Sequence, residues 1–206
     1  MRYYLYASRT KVDMLFDQID PHFFDGMSAE LKANIGLVSA SLKSEPKPNI
    51  DSLYKKIEIV EAYLDRQGLL GDIGSTAKYI KGNCLLKHGV VSEYASSIVF
   101  FGNILDQVRF GLIGSVSSLV GNTHASEAKV APYYYTLTFL NSVIESERLD
   151  TVELPYMLLP EAIDIALKTV PQTTTWCRFT ARVLHRDELA ILATPLYVAE
   201  ADDRNA

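Results

Sequence analysis

Apolar and polar positions change period several times along this chain. Residues 2–8, RYYLYAS, form a nearly continuous aromatic and aliphatic run, which predicts a buried strand. The period then turns helical. Val12, Leu15, Phe16 and Ile19 share one face of a short helix that Thr10 would cap, with Asp13 three residues on and Pro21 as its stop. HFFDGM (22–27) reads as a turn region. In IGLVSASLK (35–43), Val38, Ala40 and Leu42 alternate with polar residues, the mark of a half-buried strand, and PKPN (46–49) follows as a stiff linker. Between Ile50 and Gln67 the helical period returns. Leu53, Ile57, Val60 and Leu64 line one face, and Gly68 is placed to terminate the helix.

Three strand-like runs come next, at 79–91, 96–105 and 108–114, with Asp106-Gln107 as a tight turn between the last two. They predict an antiparallel meander. Gly114-Ser115 would open a short helix, and 128–147 a longer one with Pro132 in its first turn. Pro155 and Pro160 bracket a loop; a helix starting at Pro160 is interrupted at Pro171 and resumes from Thr173 to His185. LAILATPLYVA (189–199) ends the pattern as a strand whose Pro195 requires an edge position or a bulge. The resulting order, β-α-β-α-β-β-β-α-α-α-β, predicts an α+β two-layer domain. Its mixed sheet would hold about six strands, with the meander inside it and helices packed on it. One domain over 1–200 and a frayed tail at 201–206 are expected.

Composition narrows this only slightly. Hydrophobic residues make up 48% and charged residues 22%, a globular profile rather than a disordered one. The net charge of −5 lies wholly in residues 101–206, with 8 basic against 13 acidic side chains, while 1–100 balance at 12 and 12. Such a surface disfavours non-specific nucleic-acid binding. Cys84 and Cys177 are far apart in sequence and in unlike contexts, so neither a disulfide framework nor a cysteine metal site is expected. The absence of an apolar leader after Arg2, and of any run long enough to span a bilayer, favours a cytoplasmic protein with no membrane partner.

Tyr3-Tyr4-Leu5-Tyr6, Ser8 and Thr10-Lys11-Val12-Asp13-Met14-Leu15 resemble the start of an uncharacterised bacterial family, often actinobacterial, whose members begin YYLYxSxTKV[DE]ML. Phe101-Gly102, Gly111–Ser115 and the terminal Leu192–Ala199 are similar to the same family. The resemblance implies no activity, ligand or catalytic residue.

Three places carry anion chemistry. At Ser8, Arg9, Thr10 and Lys11 a strand opens into a helix, where backbone N–H groups, the helix dipole and Lys11 favour negative charge; plain capping by Thr10 accounts for the same residues. In 111–122, Gly111 and Gly114 let a ligand approach the backbone and Ser115, Ser117 and Ser118 add donors; a serine-capped tight turn is the simpler account. The fingerprints of phosphate-binding and dinucleotide-binding loops are absent from both stretches. On the helix expected at 173–185, Arg178, Arg182, His185 and Arg186 would form a basic stripe suited to an oxyanion, or a merely solvated face. His124 with Ser126 and Glu127 is a weak nucleophile–base set, Tyr133-Tyr134-Tyr135 could stack on a ring, and Cys84 reads as a small buried hydrophobe.

No catalytic residue, metal site or cofactor emerges from this, which leans away from an enzyme. The leading expectation is a binding or sensor module for a small phosphate- or nucleotide-bearing anion, held by Ser8, Thr10, Lys11, Gly111, Gly114, Ser115, Arg178 and Arg182. One alternative is a protein–protein interaction subunit of a bacterial assembly, in signalling or defence or as a homo-oligomer. The other is a hydrolase or transferase acting on a phosphate-bearing substrate.

Overall fold

The computed structural model describes residues 3–34, 50–91, 98–121 and 159–201. The strand expected at 35–43, the helix at 128–147, His124 and Tyr133–Tyr135 lie outside them. The described strands are β1 (Tyr3–Ala7), β2 (Leu70–Asp72), β3 (Tyr79–Val90), β4 (Ile98–Leu105), β5 (Val108–Ser115), β6 (Thr174–Arg186) and β7 (Ala190–Glu200). The helices are α1 (Arg9–Asp17), α2 (His22–Asp25), α3 (Ala29–Asn34), α4 (Leu53–Arg66) and α5 (Leu159–Thr169), with one 3-10 turn at Val116–Ser118.

The meander is present. β3 pairs antiparallel with β4 and β4 with β5. The turn between β4 and β5 places Asp106 at φ 46° and Gln107 at φ 74°, the two left-handed residues that a tight hairpin with native strand twist requires. The sheet does not stay open. β5 pairs parallel with β7, β7 antiparallel with β6, and β6 antiparallel with β3, so five strands close on themselves. β1 and β2 lie outside the ring, attached to β7 and β3. The expected two-layer domain with about six strands is thus a seven-stranded mixed sheet, five of whose strands form a small barrel with helices on its outside.

Closure follows from alternation on the long strands. On β6, Cys177, Phe179 and Ala181 are buried inward, while Arg178 and Arg182 lie on the opposite face. Phe101, Phe110, Leu112 and Ile80 join them from the other walls, and the Phe110 and Phe179 rings meet at 5.3 Å. A barrel this narrow is filled by its own side chains. The helix expected at 173–185 is therefore a correction: residues 174–186 are a 13-residue strand. The spacing of Arg178, Arg182 and His185 imitates a helical face, but the period of two across Trp176–Val183 is the pattern that wins, because it buries one complete face in the barrel.

Two further cores cover the barrel. α5 buries Leu159, Ile163 and Ala166 against Phe100, Ile113 and Leu192. α1, α2 and α4 bury Phe16, Phe24, Ile57, Val60 and Leu64 over Tyr4, Tyr79 and Tyr197. Helix α4 ends as its sequence predicts. Gly68 has φ 65°, its N–H donates to the Asp65 carbonyl at 2.9 Å, and the Leu69 N–H reaches the Leu64 carbonyl at 2.9 Å, which closes the helix in a left-handed cap. HFFDGM contains a single helical turn, α2, rather than an irregular one. The Gly114-Ser115 start produces only the 3-10 turn, with the Ser115 side chain accepting from the Ser117 N–H.

Pro195 takes the bulge and not the edge. β7 is flanked by β6 on one side and by β5 and then β1 on the other. Against β6, Thr180 pairs with Tyr197 and Ala181 with Pro195, which leaves Leu196 as the extra residue. On the other side the β5 pairing stops at Ala193 and the β1 pairing begins at Tyr197, so a gap opens at 194–196.

Candidate anion-binding site

The outer face of β3, β6 and β7 beneath α4 carries rows of polar residues in register. Lys81 pairs with Thr180 and Thr180 with Tyr197; in the next row Asn83 pairs with Arg178. Helix α4 hangs Glu61 and Asp65 over these rows, since residues four apart share a helix face. Thr180 and Tyr197, both fully buried, donate their hydroxyls to Oε1 of Glu61, the Tyr197 bond measuring 2.9 Å. Burial first, and the Glu61 carboxylate next, push the Tyr197 phenol far above its ordinary range, so it stays protonated and acts as a donor.

Beside this cluster, Glu61, Ala62, Asp65, Leu70, Lys81 and Arg178 line a hollow of about 190 Å³. Lys81 stands 3.5 Å from Asp65, both substantially exposed, a pair that contributes little. Arg178 makes no hydrogen bond or ion pair with another described residue. The Oδ1 of Asn83, its partner across the strands, is a buried acceptor without a described donor. The hollow therefore offers a planar guanidinium fork and an ammonium, with the Glu61 and Asp65 carboxylates as acceptors beside them. That set suits a tetrahedral or planar oxyanion that also carries a hydroxyl.

The sequence-predicted residues fall into three groups. The first surrounds Tyr6. Ser8 is the N-cap of α1; its side chain makes no capping bond, and its N–H donates to the Leu196 carbonyl at 2.9 Å. Thr10 lies inside the helix and is not the cap expected of it, because the helix starts directly at the strand's end. Lys11 donates to the Thr194 hydroxyl and, at 3.1 Å, to the Pro195 carbonyl, with its ammonium 5.8 Å from the centre of the Tyr6 ring. It thus fills the gap on β7. A Cβ at Gly114 would stand 2.5 Å from the Tyr6 hydroxyl, and Ser115 and Ser117 bond each other at 2.6 Å. The early and central stretches are neighbours, since Tyr6 bridges to Leu119 and the Val120 N–H donates to the Leu5 carbonyl. What lies between Lys11 and Gly114 is the Tyr6 ring.

Gly111 stands apart, in the barrel wall beneath α5, where a Cβ would meet Phe100, Leu192 and Ile163. Arg178 and Arg182 form the third group, on the outer face of β6. Arg178 lines the hollow, and Arg182 pairs in register with Tyr79 and Thr194, one row beyond Thr180. His185 is turned to Asp187, at 2.9 Å.

Sequence reasoning missed Glu61, Asp65, Lys81 and Tyr197. The spacing of four between Glu61 and Asp65 is visible in the chain, but nothing local tells that this face looks down on β6. Among the described residues no group of three or more His, Cys, Asp or Glu could hold a metal ion, and no helix is long and apolar enough to cross a membrane.

Residues 2–202 match the model of a protein family described only as a family of unknown function. No curated protein and no solved structure matches the chain.

Proposed function

We propose that this chain, which belongs to a family of unknown function (DUF7019), is a non-enzymatic binding module for a small anion seated between Arg178 and Lys81. The observation that carries this reading is the Arg178 guanidinium, which faces a hollow without a described partner while the neighbouring Glu61 is already bonded by two hydroxyls. A carboxylate bonded in this way competes weakly for the guanidinium, and a ligand oxyanion gains the fork.

The volume sharpens the ligand class. Pockets for drug-sized molecules hold roughly 300–1,000 Å³. A hollow of about 190 Å³ takes a phosphate-sized group, and a larger phosphate ester would leave its remaining part outside. Thr180 and Tyr197 are buried and their hydroxyls are bonded to Glu61, which favours a structural role for these two hydroxyls over a reactive one.

Calorimetric and thermal-shift titration with inorganic phosphate and a simple phosphate monoester tests the reading. At a ligand concentration one hundred times Kd, binding adds about 2.7 kcal/mol to stability, a clear rise in Tm. Arg178→Ala should abolish the rise while the unliganded Tm stays near that of the parent, and Lys81→Ala should weaken it. Absence of any rise in the parent, or a rise unaffected by Arg178→Ala, overturns the proposal. The basic residues would then fit an acidic protein partner instead.

A further inference from the structure

Cys84 on β3 and Cys177 on β6, 93 positions apart in the chain (177 − 84), are directly opposite each other in the antiparallel register that closes the barrel. Cys177 is fully buried inside the barrel and Cys84 is half-buried beside it. Opposed residues of an antiparallel pair have Cα atoms about 4.5–5.5 Å apart. A disulfide spans Cα separations of about 4.4–6.8 Å. The same register puts both side chains on one face of the sheet, so their Cβ atoms are neighbours. We propose that Cys84 and Cys177 are a dithiol site that closes to a cross-strand disulfide, stapling β3 to β6 across the barrel seam.

The chemistry is thiol exchange with a low-molecular-weight disulfide as oxidant. The Cys84 thiolate, on the more accessible side, attacks one sulfur of that disulfide. A mixed disulfide forms on Cys84 and one small thiolate leaves. The Cys177 thiolate then attacks the Cys84 sulfur and expels the second small thiolate. The two protons released by the protein thiols go to the two leaving thiolates, and the protein is oxidised by two electrons as the reagent is reduced by two.

The surroundings set the rate. Burial raises the Cys84 thiol to about 11. Burial, then the neighbouring Cys84 and then Glu200, which pairs with Cys177 from β7, raise Cys177 to about 12. Thiolate is the attacking species, so closure is slow near neutral pH and accelerates about tenfold per pH unit up to the thiol pKa. Once closed, the bond lies in the barrel wall, with the Cys84 sulfur on its more accessible side.

The test uses the full folded chain with oxidised glutathione at about pH 9, acid-quenched and followed by intact mass and thiol counting. The expected result is simultaneous loss of both thiols with the mass of two hydrogens lost and no glutathione retained. A peptide joining the two cysteines should be recovered without reductant, and Tm should rise on the order of 5–10 °C, reversed by dithiothreitol. Cys177→Ser should halt at the glutathione adduct on Cys84. A persistent adduct on Cys84 in the parent chain overturns the proposal, and so does pairing that occurs only after unfolding in urea. Neither result depends on Arg178 or on any anion.

Discussion

Removal of the Glu61 carboxylate is the most exacting test of the polar cluster under α4. Its Oε1 is the acceptor for the hydroxyls of Thr180 and Tyr197, two residues with no solvent exposure. Glu61→Ala leaves two buried donors unpaired, and each unsatisfied group costs about 1–3 kcal/mol. The sum is about 2–6 kcal/mol. Two effects act against it: alanine favours the α4 helix by a few tenths of a kcal/mol, and water from the adjoining hollow can reach the vacated space. A net loss of about 2–4 kcal/mol is the expectation, measured by urea unfolding with an unchanged m-value. Glu61→Gln keeps an acceptor oxygen and should lose about 1 kcal/mol. The decisive measurement is the double-mutant cycle with Tyr197→Phe. The phenylalanine removes one stranded donor, so the double variant should lose less than the sum of the single losses, by about 1–2 kcal/mol. A Glu61→Ala variant within about 0.5 kcal/mol of the parent, or strict additivity in the cycle, refutes the reasoning.

Other expectations rest on separate contacts. Lys11→Ala should lower stability by about 1–3 kcal/mol in chemical denaturation, because the buried Thr194 hydroxyl and the Pro195 carbonyl lose their donor. Gly114→Ala places a methyl against the fully buried Tyr6 ring and should cost about 1–3 kcal/mol, with near-ultraviolet dichroism reporting the displaced tyrosine. At Gly68 a Cβ meets nothing, so Gly68→Ala isolates the left-handed backbone and should cost about 1 kcal/mol. Stability should fall as pH rises above 9.0: the unfolded thiols ionise there, while the native ones hold their protons to about 11 at Cys84 and about 12 at Cys177. The native state then binds more protons than the unfolded one, and the buried Cys177 takes up to about 1.4 kcal/mol per pH unit, the half-exposed Cys84 less. Tyr79 and Tyr197, also raised by burial, add to the decline above 10.0, and Cys177→Ser should flatten its first part in Tm measured across pH.

Local order was readable where one element carries its own signal. The spacing of Ile57, Val60 and Leu64, closed by Gly68, specifies α4, and Asp106-Gln107 between two apolar runs specifies the hairpin. Pro195 announced a bulge, though the same residue equally allowed an edge. Thr174–Arg186 failed because two periods coexist in it, and the choice between them depends on whether a barrel wall is available to receive Cys177, Phe179 and Ala181. Lys11 was chosen for its charge, yet its setting comes from a gap in a strand 183 positions away.

The chain alone, then, determined the elements whose hydrogen bonds and apolar faces are local: the first strand, the meander, the existence of α1, and α4 with its glycine end. Tertiary structure decided everything that depends on which strand meets which. Closure of β3 on β6 turned an open sheet into a barrel, brought Cys84 to Cys177, and set Glu61 over Thr180, Tyr197 and Arg178. The physical reason is range. A strand's own alternation tells which side chains share a face, but its partners and register are set by burying that face against segments far away in sequence.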